Sequence, residues 1–197
     1  MNRNSLLIGA AIILVIAVGV LLSQKLKNRT LPEGQMNQDT LSAQDTNPTI
    51  NPIPGKPQVK VATSKGDFII ELRPDIAPET VANFLGKWSR GECDNLTWHR
   101  VEDWVVQGCD PAGDGTGGNS VLPTETSGEA FTTGAVGVAR KSTPKEVSND
   151  SQFFIVKTDA VFLNGEYTFF GRVISGMDIV AKLSIGDKIL ATTILSK

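Results

Sequence analysis

The stretch Leu96–Asp110, LTWHRVEDWVVQGCD, restricts the possible folds more than any other part of the chain. Two short runs rich in β-branched and aromatic residues, Leu96–Val101 and Trp104–Cys109, flank the polar pair Glu102-Asp103. Runs of this length with a polar break between them fold back as a β-hairpin. With only those two residues in the loop, Val101 lies opposite Trp104, Arg100 opposite Val105 and Trp98 opposite Gln107. Side chains alternate along a strand, so Trp98, Arg100, Val105 and Gln107 share one face. An arginine beside a glutamine among apolar groups is a set of donors suited to holding a carbonyl. The same residues also describe an exposed strand face with a solvated arginine, and the hairpin alone leaves both readings open.

The rest of the chain from Gln58 onward follows the same style. Val59–Thr63 and Asp67–Leu72 are strand-like runs around the turn Ser64-Lys65-Gly66. Ala77-Pro78-Glu79 opens a helix, with proline in the first turn and an acidic side chain near the positive end of the dipole. Val81, Phe84, Leu85 and Trp88 form its apolar face, and Gly91 ends it. The glycine-rich stretch Asp110–Asn119 lacks the GK[ST] ending of a phosphate cradle and the spacing of a calcium loop, and reads as a loop whose glycines allow close backbone approach. Gly134–Ala139, Gln152–Lys157 and Tyr167–Ile174 are further strands, with a polar loop over Arg140–Ser151. A short helix over Ser175–Leu183, capped by the serine, and a last strand over Ile189–Leu195 complete the series. Many short strands with only two helices predict an all-β barrel or sandwich.

Ahead of this domain, Leu6–Leu22 carries no polar or charged side chain. It is too long for a signal-peptide core and lacks a small-residue cleavage site, which predicts an uncleaved membrane-spanning helix. The organisation expected is therefore an anchor over residues 1–29 (span about 5–23), a linker over 30–57 and a folded domain over 58–197. The linker holds five of the ten prolines among Thr, Asn, Gln and Asp, a composition that stays extended because it cannot build a core. Lys25, Lys27 and Arg29 after the span count towards a cytoplasmic C-terminal side, whereas a spacer of this kind is typical of extracytoplasmic domains; the reading adopted is an extracytoplasmic domain tethered to the cell membrane. After Pro57 there are fourteen Lys/Arg against eighteen Asp/Glu, which argues against a nucleic-acid surface. His99, Cys93 and Cys109 are too few and wrongly spaced for a structural zinc, so no metal is expected. In the hairpin register Cys109 faces Leu96, three residues beyond Cys93. A disulfide closed by a curl of the chain before Leu96, and a pair of buried free thiols, both fit.

From about Val59 to the C-terminus the chain resembles the cyclophilin-type peptidyl-prolyl cis–trans isomerases. The resemblance rests on Trp98-His99-Arg100, Gln107-Gly108-Cys109-Asp110, Gly115-Thr116-Gly117-Gly118, Ser151-Gln152-Phe153-Phe154-Ile155 and Leu163-Asn164-Gly165 with Phe170-Gly171, in the family's order. It implies a mainly β fold, a closed eight-stranded antiparallel β-barrel capped by two helices, with the active groove on its outer wall. It also implies an enzyme without cofactors that rotates X–Pro bonds in proline-containing polypeptide clients as a monomeric domain. Position by position, Arg100 matches the catalytic arginine and Gln107 its glutamine neighbour. Trp104 stands for a catalytic-site aromatic that is usually phenylalanine. Phe154 floors the proline pocket, with Leu163 and Val105 as walls. Ala139 and Arg140 contact the residue before proline. Tyr167 and Phe162 sit at the groove rim or serve as plain packing, Phe162 where drug-sensitive members carry tryptophan.

Two departures stand out. Three residues separate Arg100 from Trp104, where the family generally has four, and Cys109 replaces a glycine often seen there. The shortened turn motivates a rival, a proline-peptide binding module with little or no turnover. By strand parity His99 is expected to point inward as a satisfied core histidine, and Phe153 to be core.

Overall fold

The structure, a computed structural model, describes residues 53–196. The expected membrane span over Leu6–Leu22 and most of the linker lie outside the described residues. Among the described residues no helix is long and apolar enough to cross a membrane.

Among the described residues, ten strands and two helices follow in order: β1 (Gln58–Thr63), β2 (Gly66–Leu72), α1 (Pro78–Ser89), β3 (Trp98–Val101), β4 (Val105–Gly108), β5 (Ser120–Pro123), β6 (Ala135–Val138), β7 (Val147–Asn149), β8 (Phe153–Val156), β9 (Phe169–Ser175), α2 (Met177–Lys182) and β10 (Ile189–Ser196). A 3-10 turn, Val161–Leu163, precedes β9. Eight strands form one antiparallel sheet in the order β10-β1-β2-β9-β6-β8-β4-β3, and β5 and β7 form a separate pair. The closed barrel expected from the sequence is not formed as a continuous ladder. The edge strands β3 and β10 meet only around an isolated bridge between Thr97 and Lys188, because β10 turns away after Ile189 to pair along β1.

The sheet curls around one apolar core, fed by alternate residues of β1 and β2 (Val59, Val61, Phe68, Ile70, Leu72) and by Val81, Phe84 and Trp88 of α1. Phe84 stacks on Phe170 at 4.8 Å, and Trp88 meets Phe153 edge-on at 5.5 Å, so α1 is fixed by aromatic contacts. The start of α1 is held by a device the sequence reading missed. Ala77, at its N-cap, offers no side-chain acceptor. Instead the Glu125 carboxylate, from a distant loop, accepts the backbone N–H groups of Glu79 (3.1 Å) and Thr80 (2.9 Å). Thr80 is fully buried, so its N–H has no access to water once that acceptor is gone. Glu125→Ala is therefore expected to lower the unfolding free energy by about 2 kcal/mol, the sum of a lost cap and a stranded donor. Urea unfolding monitored by circular dichroism measures it.

Helix α2 is not capped by Ser175 as expected. That residue still belongs to β9, and the turn into the helix is made by Gly176 at φ 86°. A Cβ on Gly176 would lie 2.7 Å from the Asp67 carbonyl oxygen, so glycine is required twice over, by φ and by space. Strand β7 runs inside the polar loop expected over Arg140–Ser151, and β5 runs where no element was expected. β5 is only Ser-Val-Leu-Pro and β7 only Val-Ser-Asn, runs too short for an apolar alternation to mark them.

Candidate active site

Strand β8 is the floor of the site. It pairs with β4 on one side and β6 on the other. Phe153 and Ile155 enter the main core, whereas Phe154 and Val156 point the other way into a second apolar cluster with Val105, Phe131, Leu163 and Phe169. Phe154 stands opposite Gln107 on β4 and Gly137 on β6. Gly137 is an unflagged requirement of this site. A Cβ there would collide with the Phe154 ring and lie 2.7 Å from Phe131 Cε1.

The β3–β4 hairpin exists, but its register differs from the expected one. Val101 pairs with Val106, Arg100 with Gln107 and Trp98 with Gly108, with a bulge at His99. One extra residue in β3 breaks the alternation between Trp98 and Arg100. Trp98 consequently belongs to the main core rather than to the Arg100 face, over Gly108, where a Cβ would lie 2.8 Å from its ring. His99 is not the satisfied core histidine expected from parity. It is half-buried, lines the groove described below, and neither ring nitrogen has a hydrogen-bond partner. Burial pushes its pKa down, which favours the neutral imidazole.

Arg100 and Gln107, now direct cross-strand neighbours, head a chain of hydrogen bonds. Arg100 Nη1 donates to Gln107 Oε1 at 3.3 Å, and Gln107 Nε2 donates to Gln152 Oε1 at 2.8 Å. Gln152 Nε2 then donates to the carbonyls of Gly115 (3.1 Å) and Gly117 (2.8 Å). The glycine-rich loop is thereby tied to the arginine. Its glycines serve close approach, since the loop wraps the buried Asp110 carboxylate, which accepts from the backbone N–H groups of Ala112 and Gly115. At the other end of the chain, Arg100 Nε donates to Glu102 Oε1 at 2.6 Å, and Trp104 Nε1 donates to Glu102 Oε2 at 2.8 Å. The Arg100 hydrogen bond, reinforced by its charge and by Trp104, holds the Glu102 carboxyl below its usual range.

These groups border a groove of about 380 Å³. Arg100, Trp104, Val105, Gln107, Ala139, Arg140, Phe154, Leu163 and Tyr167 all line it. Phe162 does not: it is 65 % exposed on the rim, edge-on to Trp104 at 5.1 Å. Phe154 forms the base, braced by Phe131 (5.8 Å) and Tyr167 (5.8 Å). A second groove of about 470 Å³ adjoins the first, and Gln107, Gly115, Ala139 and Arg140 border both. Arg140 forms part of this divide. Its guanidinium lies 4.3 Å from the centre of the Tyr167 ring and donates to the carbonyls of Glu166 and Lys141 and to the Glu166 carboxylate.

Gln152, Glu102, Gly137, His99, Asp114 and Gly115 belong to the site but were not assigned to it from sequence. Gln152 had a usable signal, a glutamine beside an uninterrupted apolar run that is only 2 % exposed in the fold. Just behind the site, Cys93 and Cys109 form a disulfide with their Cα atoms 5.0 Å apart. Cys109 adopts φ 62°, the left-handed region that suits the glycine often found at this position. Among the described residues no group of three or more His, Cys, Asp or Glu is arranged to hold a metal ion.

Comparisons with known proteins converge on one family. A family model described as cyclophilin type peptidyl-prolyl cis-trans isomerase/CLD matches residues 58–195. A probable peptidyl-prolyl cis-trans isomerase of Brucella suis is 41% identical over 137 residues, covering 62% of this chain and 69% of that protein. A peptidyl-prolyl cis-trans isomerase of Arabidopsis thaliana is 39% identical over 132 residues, covering 64% of this chain and 80% of that protein. Among solved structures, a Cryptosporidium parvum cyclophilin-type isomerase superposes with a TM-score of 0.67 at 28% identity, covering 73% of this chain and 99% of its own. The same protein in the presence of the dipeptide Ala-Pro superposes with a TM-score of 0.65 at 29% identity, covering 71% of this chain and 99% of its own.

Proposed function

The chain belongs to the cyclophilin-type peptidyl-prolyl cis-trans isomerases, and on that premise we propose how its own residues carry out the rotation and where the protein does so. The reaction breaks no bond. Its barrier of about 18–20 kcal/mol is the loss of amide resonance, and uncatalysed X–Pro rotation takes tens to hundreds of seconds. Catalysis needs a surface that fits the twisted amide better than either planar form. As resonance is lost, the proline nitrogen becomes a hydrogen-bond acceptor. Arg100, partly exposed at the groove edge and held by Gln107, donates to that nitrogen or to the adjacent carbonyl. The proline ring rests on Phe154 between Val105, Leu163 and Trp104, while Ala139 and Arg140 meet the residue before it. The observation that carries this reading is the donor chain Arg100–Gln107–Gln152 standing beside an apolar pocket whose base is one aromatic ring. The Cryptosporidium relative was solved in the presence of the dipeptide Ala-Pro, and the ligands assigned to the groove here are proline-containing segments of client proteins. A cis-to-trans assay on a prolyl peptide with the full chain tests the activity: acceleration over the uncatalysed rate is expected, and its absence reduces the protein to a binding module.

The catalytic domain works as a monomer held outside the cell membrane by Leu6–Leu22 and spaced from it by the linker over residues 30–57, assisting the folding of clients there. Three features support this: the apolar run, the proline-rich spacer, and a disulfide, which persists in oxidising compartments. Protease added to intact cells is expected to remove the domain. Survival of the domain until the cells are lysed overturns the orientation.

A further inference from the structure

The turn between β3 and β4 is one residue shorter than the family pattern, and Glu102 stands at its start. Glu102 closes the turn through its backbone N–H to the Val105 carbonyl at 2.8 Å. Its side chain then spans the catalytic arginine and the aromatic wall: Oε1 accepts from Arg100 Nε at 2.6 Å, and Oε2 accepts from Trp104 Nε1 at 2.8 Å. The guanidinium carbon of Arg100 lies 5.3 Å from the centre of the Trp104 ring, so the three side chains close a triangle.

We propose that Glu102 is a positioning residue for the isomerisation, its carboxylate holding Arg100 and Trp104 in fixed relation at the edge of the groove. The proposal rests on the isomerase reading given above. An arginine side chain has several freely rotating bonds, and a donor that must be searched for among rotamers contributes less at a transition state than one already in place. Glu102 occupies Nε, and Gln107 accepts from Nη1 on the other side. Held at two points, the guanidinium plane is set, and its remaining N–H groups are available to the amide. The same carboxylate fixes the indole, which explains how Trp104 still lines the groove after a turn one residue short.

A surface ion pair is the plainer reading, and magnitude separates the two. Arg100 and Glu102 side chains are 42% and 45% exposed, and pairs of that exposure add little to stability. The consequence of losing Glu102 therefore belongs to turnover and not to folding. A carboxylate has two acceptor oxygens, one for each partner. A glutamine of the same shape has one, and its amide nitrogen cannot accept from Arg100 Nε or Trp104 Nε1.

The test uses the full chain and three readouts. In Glu102→Gln, kcat/KM for a prolyl peptide is expected to fall about tenfold, mainly in kcat, as for a misplaced catalytic group. The urea unfolding midpoint is expected to stay unchanged. In NMR spectra, the Arg100 Nε–H signal is expected to exchange slowly with water in the wild type and rapidly in the variant, with the Trp104 indole N–H moving too. Glu102→Asp, which keeps both acceptors on a shorter arm, is expected to recover part of the loss. An unchanged kcat in Glu102→Gln, or a loss that follows a fall in the unfolding midpoint, overturns the proposal. The isomerase reading fails separately, by absence of turnover in the wild type; the Arg100 and Trp104 signals would still report whether Glu102 holds its two partners, and rapid Nε–H exchange in the wild type overturns the proposal whatever the turnover.

Discussion

Arg100→Ala is expected to lower kcat/KM for a prolyl peptide by about 10²–10³-fold, the loss that follows removal of one preorganised donor at a transition state. The side chain is 42% exposed and contributes nothing to either apolar cluster, so the variant should fold and unfold as the wild type does. Its removal leaves Gln107 Oε1 and the Glu102 carboxylate without the guanidinium, both within reach of water. Arg100→Lys separates charge from geometry. An ammonium restores the positive charge but cannot present a planar fork to Glu102, Gln107 and the substrate together, so it should recover only a minor part of the rate. Equal turnover in wild type and Arg100→Ala, both above background, would move catalysis to another donor. Turnover at background in both would leave a proline-binding module.

The second large effect concerns the disulfide. Cys93 and Cys109 are separated by 16 residues, and closing a loop of that size is worth about 3 kcal/mol through the unfolded chain. Reduction, or the double substitution Cys93→Ala with Cys109→Ala, is therefore expected to lower the unfolding free energy by about 3 kcal/mol in urea titrations. Cys109→Gly divides the effect. At φ 62° a residue with a Cβ pays about 1 kcal/mol that glycine avoids, so this variant should lose only about 2 kcal/mol. A thiol assay on unreduced, denatured protein should find no free thiol; two free thiols, or identical unfolding midpoints with and without reductant, would remove the bridge from the argument.

How far the sequence could be read depended on what each feature needed. The antiparallel strands and α1 were visible because their apolar spacing repeats, and Phe154 reaches the groove with Arg100, Gln107 and Leu163 because strand parity sends Phe153 inward and Phe154 outward. Other features were not periodic. A single inserted residue at His99 shifts the partners of a four-residue strand, and so exchanged the fates expected for Trp98 and His99. Strands β5 and β7 are too short to show an alternation. The Glu125 cap and the Glu102 bridge join residues through side-chain geometry that no spacing rule encodes. Gly137 and Gly176 were legible only once the atoms that crowd them had positions.

Arg140 carries a consequence for which clients this enzyme accepts. From the family resemblance it is expected to contact the residue ahead of proline. In place, its side chain is only 4% exposed, over the Tyr167 ring and paired with Glu166, which it shares with Lys145. A residue so enclosed behaves as masonry: it gives the passage between the two grooves its width and its hardness. Selection among clients at that point is then expected to follow bulk and curvature, which ranking prolyl peptides by the residue before proline would check.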